Sequence, residues 1–371
     1  MKRKFVIGIG VLAASAVIFL SCSNKSNDKL VWVNEKTDLK ELPLDSMFTV
    51  LRYIQLETTS DALIGNHIGK IRKFNGKYYI SSDRKELLIF GNDGSFVRKI
   101  SSLGNGPGEY RMLSDFDVLP NNDIAILDAR KVIIYDEEGG YKRDIPLSIN
   151  CFNIKDLNGK EFLIYSSGEE YVIYQCDYNG KIIEKYFKHK KITRIYSDVP
   201  LFSVNNTVLF QIGVSVNFVS IDPKERSFAE IYLLNNNECL TSEKEENLQE
   251  EYAYDYLYRF PDLKIIFGTS TYTNYLAFKV GNNDGHRVYV VDIKNKNELK
   301  YKSEYISDRQ NENNLKMDYI HLGIADDCFI DHISHQDFAL MQGVYDENVL
   351  YEDNPILIEL IVREFPTDSI F

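Results

Sequence analysis

Glu109 and Tyr110 follow Gly104, Gly106, Pro107 and Gly108 in the stretch SSLGNGPGEYRMLSDFD, residues 101–117. A carboxylate and a phenol carried on a tight glycine turn could hold a polar ligand, because positioned loops are where binding groups concentrate. Asp115, at the start of the strand-like run Asp115-Phe116-Asp117-Val118, is a third polar candidate beside them. The glycines could instead cradle phosphate. A phosphate loop, however, needs Gly-Lys-Ser/Thr entering a helix. Here Pro107 and Glu109 intervene, a strand follows, and a carboxylate would repel the anion. The cluster therefore reads as a tight connection that uses glycine for backbone angles other residues avoid.

Three further constellations were weighed for chemistry. His332 and His335 lie in DHISHQD, with His321 upstream. On a strand the two would point to opposite faces, whereas on a helical turn they could share a metal. The segment reads as strand and there is no HExxH pair, so no metal site is expected. Tyr252, Tyr254, Tyr256 and Tyr258 alternate along the chain. On one strand all four rings would share a face, giving either a sugar-stacking platform or packing between neighbouring sheets. No GxSxG elbow is present, and a catalytic carboxylate pair cannot be chosen among 55 acidic residues. No catalytic residue and no cofactor are assigned.

The elements that must position these residues are strands. Tyr numbers 25 and Phe 21 against 9 Pro, and no long helical periodicity stands out, which favours an all-β fold. Turn, strand, Asx/Gly turn, strand is the recurring pattern. It runs through Asn75-Gly76, Asn92-Asp93-Gly94, Asn121-Asn122-Asp123, Glu137-Glu138-Gly139, Asn158-Gly159 and Asn179-Gly180. The hairpin glycines Gly94, Gly139 and Gly180 follow at intervals of 45 and 41 residues. Strand units repeating at this spacing are propeller blades. The expectation is a six-bladed β-propeller of four-stranded antiparallel blades over residues 30–371. The sixth blade takes Cys328–His332, Phe338–Val344 and Ile356–Phe365, and the early strand Thr49–Leu56 completes it and closes the ring. TSEKEENLQEE, residues 241–251, reads as an acidic, helix-prone insertion, and Met317–Asp327 as irregular.

Upstream, Lys2, Arg3 and Lys4 precede an uncharged apolar run, Phe5–Leu20, and then Ser21-Cys22. This is the pattern of a lipoprotein signal peptide, residues 1–21, with Cys22 lipidated. Residues 22–29, CSNKSNDK, would form a flexible tether. Losing the three basic residues takes the formal charge from −12 to −15, which argues against nucleic acid, since neutralising phosphates needs clustered Lys and Arg. Cys151, Cys176, Cys239 and Cys328 show no CxxC spacing. Cys151 and Cys176 fall in one expected blade and could pair; the preferred reading for all four is buried free thiols.

Gly104-Asn105-Gly106-Pro107-Gly108-Glu109-Tyr110, behind a lipobox, resembles the G-x-G-P-G-E-[YF] loop of the six-bladed β-propeller lipoproteins of Bacteroidetes. More distantly the chain is similar to NHL-repeat and TolB-type propellers. The resemblance implies fold and address more than activity: an outer-membrane lipoprotein facing the periplasm or the cell surface. The function expected is a monomeric binding or scaffold module for a protein or glycan, held at the membrane by its lipid. Glu109, Tyr110 and Asp115 would sit near the channel mouth. The alternative is a glycan lyase or hydrolase working in the propeller channel.

Overall fold

In the computed structural model the described residues are 30–33, 48–166, 169–188, 200–204, 207–234, 239–252, 259–282, 285–292, 298–305, 323–335, 338 and 353–362. Two strands come first, β1 (Leu30–Val33) and β2 (Phe48–Gln55). The first four-stranded unit follows: β3 (Ile68–Phe74), β4 (Lys77–Ser82), β5 (Glu86–Gly91) and β6 (Phe96–Ile100). The second is β7 (Asp115–Val118), β8 (Ile124–Asp128), β9 (Lys131–Tyr135) and β10 (Tyr141–Pro146). The third is β11 (Asn153–Leu157), β12 (Glu161–Tyr165), β13 (Ile173–Asp177) and β14 (Ile182–Tyr186). The fourth is β15 (Leu201–Val204), β16 (Thr207–Gln211), β17 (Asn217–Asp222) and β18 (Ser227–Leu234). Helix α1 (Ser242–Tyr252) then precedes the fifth unit, β19 (Ile265–Tyr272), β20 (Tyr275–Asn282), β21 (Gly285–Asp292) and β22 (Glu298–Tyr305). Last come β23 (Gly323–Ile324), β24 (Phe329–Ile333) and β25 (Ile356–Val362).

Each unit is an antiparallel meander: its central strands are buried on both faces, its outer strand is part exposed, and turns that supply positive φ join them. Asn75 (φ 47) with Gly76 (φ 70), and Asn158 (φ 57) with Gly159 (φ 70), are such turns, the primed geometry that matches strand twist. The last unit takes three strands from the C-terminal side and its outer strand from the N-terminal side. β2 pairs antiparallel with β25, from Phe48 opposite Val362 to Gln55 opposite Ile356. The expected closing strand is thus found. The first strands of successive units lie side by side, β3 beside β7, then β11, β15, β19 and β23, and β23 pairs back on β3. Apolar side chains fill the spaces between neighbouring units. Tyr79, Leu87 and Ile89 of the first meet Phe116, Ile126 and Ile133 of the second, for example.

Several boundaries differ from expectation. β23 is drawn from the stretch read as irregular, and Phe338 lies not in a strand but in a helical turn, its N–H bonded to Ser334 O at 3.0 Å. Residues 339–344 lie outside the described residues. β1 belongs to no antiparallel meander. It runs parallel to β18 on the outer edge of the fourth unit, Leu30 opposite Ile231 and Val33 opposite Leu234. That pairing covers an edge otherwise open to other chains.

Closure is held by charge as well as by pairing. Glu359 on β25 is buried and receives Arg52 Nε from β2 at 2.8 Å and the Tyr78 hydroxyl from β4 at 2.6 Å. Lys73 Nζ from β3 stands 2.9 Å away. Burial opposes the Glu359 charge, but these donors outweigh it and hold the carboxyl down to about 2. A group depressed in the folded state stabilises it above the unfolded value and loses that effect as pH falls through the folded one. Between about pH 4.5 and 2 the chain should therefore lose stability with protonation of Glu359. Removing one partner of a buried pair costs about 3–5 kcal/mol. Urea unfolding of Glu359→Gln should show a loss of that order at pH 7 and a flatter acid limb than wild type.

Candidate binding face

The glycine loop is organised inward. Gly104 N donates to Tyr110 O at 3.0 Å, Tyr110 N to Ser102 O at 2.9 Å and Glu109 N to Gly106 O at 3.1 Å. The Glu109 carboxylate turns back on its own loop and accepts from Gly106 N at 2.8 Å. It lies so close to Gly104 that an added Cβ there would stand 2.0 Å from Oε2. Gly108 has φ +73, and a Cβ on it would meet the Tyr141 ring at 2.7 Å. Both glycines are thus required by close approach rather than by a ligand. Tyr110 is wholly buried in the core between the first and second units. Its hydroxyl donates to the Lys85 carbonyl at 2.7 Å, with the Ile100 carbonyl at 3.1 Å, and burial pushes its pKa up. Lys131 Nζ, from the second unit, clamps the loop by donating to Glu109 O at 2.6 Å.

Asp115 is likewise inside. It forms with Asp117 a pair at i and i+2 on β7, so both carboxylates leave the same face of the strand. Asp115 Oδ1 accepts from Phe116 N at 2.8 Å and from Lys70 Nζ at 3.1 Å. Its Oδ2 accepts from Ile154 N at 2.9 Å and from Asn153 Nδ2 at 3.3 Å. Asp117 repeats the pattern one step along: it accepts from Val118 N at 3.0 Å and Asp156 N at 2.8 Å, and it is ion-paired with Arg72, Nε at 3.2 Å, and Lys155, Nζ at 3.7 Å. β11 is the inner edge of its sheet, so Ile154 and Asp156 would otherwise present unpaired N–H groups. The two aspartates supply the acceptors that a further strand would have offered. Burial raises the Asp115 carboxyl despite Lys70. Burial also opposes the Asp117 charge, but Lys155 and Arg72 outweigh it and hold that carboxyl well below the usual range. Lys155 is pushed down by its own burial, with Asp117 opposing. In the later units hydroxyls do the bridging: Ser270 Oγ donates to Gly323 O at 3.0 Å and Thr269 Oγ1 to Gln211 Oε1 at 2.9 Å.

The other sequence candidates lie only partly among the described residues. Tyr252 ends helix α1, so the expected shared strand face fails at its first residue; Tyr254, Tyr256 and Tyr258 lie outside the described residues. The helix prevails because Thr241 Oγ1 caps it, accepting from Lys244 N at 3.3 Å, and a run of helix-forming residues follows. His332 is on β24 and His335 opens the helical turn beyond it, while His321 lies outside the described residues. Among the described residues no three metal-binding side chains cluster. Cys151, Cys176, Cys239 and Cys328 are buried free thiols.

What the sequence did not single out is the surface around the loop. The connections between units and the middle hairpin loops share one face, as their mutual hydrogen bonds show. Leu113 N reaches Arg84 O at 2.8 Å, Leu147 N reaches Arg130 O at 2.7 Å, and Ile266 N reaches Val214 O at 3.0 Å. On three successive connections this face exposes Leu63 (46%), Leu103 (49%), Met112 (39%) and Phe152 (45%). Arg84, Lys85, Arg111 and Arg130 are exposed among them. The neighbouring carboxylates are engaged: Asp83 accepts from His67 N, Asp128 from Arg111 N, and Glu57 from Phe96 N. Exposed Asp61 stands against the four cations, and the third unit's middle loop adds Glu169 and exposed Glu170, the latter paired with Lys188 at 2.6 Å. The opposite face is made of polar turns that bond one another, such as Asn75 Nδ2 to Asn122 Oδ1 at 2.7 Å and Lys77 Nζ to Glu137 Oε1 at 2.6 Å. None of the exposed large apolar residues among those described lies on these turns. Charge order is invisible to a strand-by-strand reading; aligning the loops of successive repeats would have brought the apolar and basic positions together.

The loop and the seam separate by experiment. Asp117→Asn leaves Arg72 and Lys155 without their carboxylate and should cost about 3–5 kcal/mol in chemical unfolding. Glu109→Gln keeps an acceptor for Gly106 N and should cost at most about 1 kcal/mol.

No curated protein matches the sequence. An exported protein of Bacteroides fragilis shares the fold at a TM-score of 0.70 and 19% identity, covering 89% of this chain and 99% of that one. BamB of Moraxella catarrhalis aligns at a TM-score of 0.40 and 15% identity, over 70% of this chain and 68% of that one. The WD40 domain of Neurospora crassa Pan2 aligns at 0.43 and 12%, over 71% and 74%. The arrangement is nearly all-β, built of four-stranded antiparallel sheets whose inner strands form a ring, and the family match runs along the same units. Over residues 29–360 the sequence matches the family described as a domain of unknown function, DUF4934, and the chain belongs to that family.

Proposed function

We propose that the protein is a lipid-anchored, six-bladed β-propeller that binds a protein or glycan partner on the face formed by its inter-blade connections. The observation that carries this reading is the asymmetry between the two faces. One is a mosaic of exposed Leu63, Leu103, Met112 and Phe152 with four cations, and the other is a set of polar turns bonded to each other. Exposed apolar groups gathered on one side of a soluble domain mark an interaction surface. In a chain of formal charge −12 a locally basic arc selects a partner carrying negative charge. The ring of inner strands, closed by β23 on β3 and by β2 on β25, supports the six-blade count. The lipobox and the fold shared with an exported protein support an address in the outer membrane, facing the periplasm or the cell surface.

The reading as a channel lyase or hydrolase draws no support from the described residues. Asp115 and Asp117, the buried carboxylates of the inner strand β7, already accept backbone and cationic donors from the adjoining strands. The partner face is tested by photo-crosslinking in intact cells. p-Benzoylphenylalanine at Met112 or Phe152 should give a discrete adduct with an envelope component, and at Lys160, on the opposite face, none. Adducts from Lys160 equal to those from Met112, or none from Met112 and Phe152, would refute the assignment. Leu103→Ser with Met112→Ser should abolish the adduct formed at Phe152 while leaving unfolding stability within about 0.5 kcal/mol, as expected of exposed positions.

A further inference from the structure

The placement of β1 says which part of the ring meets the membrane. Seven residues separate Cys22 from Leu30, where the chain joins the outer edge of β18 in the fourth unit. The eight steps from Cys22 to Leu30 extend to at most about 28 Å. The four strands of one unit span about 14 Å at ordinary strand spacing. Opposite rims of the ring are therefore about 28 Å apart before its central hole is counted. A lipid on Cys22 then keeps the fourth unit's rim within that distance of the bilayer, whereas no such tether acts on the first unit's rim, three units away.

The chemistry of that rim points to the same partner. Three residues before the first β1–β18 pairing, Phe228 is 49% exposed on β18. Its ring stands edge-on to Tyr186 and Phe187 rather than being covered by them. Lys224 and Arg226, in the turn that leads into β18, are exposed beside it, with exposed Glu225 between them and Asp222 held by the turn's own N–H groups. An aromatic ring flanked by basic side chains is suited to the headgroup layer, where the ring sits at the apolar boundary and the cations meet lipid phosphates. We propose that the fourth unit's outer edge, β18 with β1 laid along it, is the membrane-facing rim, and that the ring is held edge-on to the bilayer with its first unit outermost. This rests on the reading of Cys22 as lipidated. It also keeps the basic and apolar arc, which spans the connections of the first three units, away from the lipid and open to a partner.

The chain carries its own probe, because Trp32 is its single tryptophan and lies in β1. Full-length lipidated protein in phosphatidylethanolamine–phosphatidylglycerol vesicles, with dansyl on a fraction of the headgroups, is read by energy transfer from tryptophan. Trp32 should transfer strongly. In a Trp32→Phe background, Phe228→Trp should also transfer strongly and Val97→Trp, on the first unit's rim, should transfer weakly. The Phe228 variant keeps the test standing if Trp32→Phe loosens β1. An intact mass without acyl chains on Cys22 removes the anchor reading, and this proposal with it. Lipidated protein in which Val97→Trp transfers as strongly as Phe228→Trp overturns the orientation alone and leaves the anchor in place.

Discussion

Two buried carboxylates on one short strand hold the first half of the ring together. Asp115 and Asp117 leave the same face of β7, and each joins a cation from the preceding unit to a backbone N–H of the following one. The physical need is plain. Apart from β3 and β23, which pair with each other, the inner strand of each unit has one edge with no neighbour in its own sheet, and its N–H groups must find acceptors or remain costly. A carboxylate meets that need better than a neutral group because a charged acceptor makes the stronger bond. Taking the carboxylate inside is tolerable only because Lys70, Arg72 and Lys155 arrive with it. Where the later units meet, hydroxyls bridge the inner strands: Thr271 Oγ1 donates to Ser203 O at 3.4 Å and Ser270 Oγ to Gly323 O at 3.0 Å. The carboxylate seam thus joins the first three units, and the hydroxyl bridges join the last three.

That division bears on function. The exposed apolar and basic residues lie on the connections tied to the charged seam. Tyr110 anchors one of these connections in the core, and Lys131 grips its backbone. A binding surface made of loops needs its loops held still, so that ordering them does not reduce affinity. Glu109 and Tyr110 are therefore the fastenings of the loop, while its neighbours Leu103, Arg111 and Met112 face outward.

Much of the fold could be read in the chain itself. Asx-Gly turns at regular intervals, with alternating strands between them, define the first three units almost to the residue, and the early strand that closes the ring was apparent from its position. Three things were not. β23 is two residues long, too short for any periodic signal. β1 pairs parallel with a strand some two hundred residues away, a contact no local pattern encodes. Helix α1 extends to Tyr252, one residue past the acidic run read as helix-prone, while the other three alternating tyrosines lie outside the described residues. The seam was half visible. Asp115 stood out as a polar residue on a strand, but its role depends on Lys70 and Ile154, which lie 45 and 39 residues away, about one repeat on either side. Charges at matching positions of successive repeats were the available signal.

The account turns on whether the aspartates replace a missing strand at the inner edge. Native-state amide hydrogen exchange of Ile154 and Asp156 measures this directly, since both N–H groups donate only to these side chains and not to backbone carbonyls. If the carboxylates hold the units together, both amides should exchange as slowly as the central-strand amides of Ile126 and Ile133, through global unfolding. Exchange near the rate of an open peptide at Ile154 and Asp156, with Ile126 and Ile133 still protected, would contradict it.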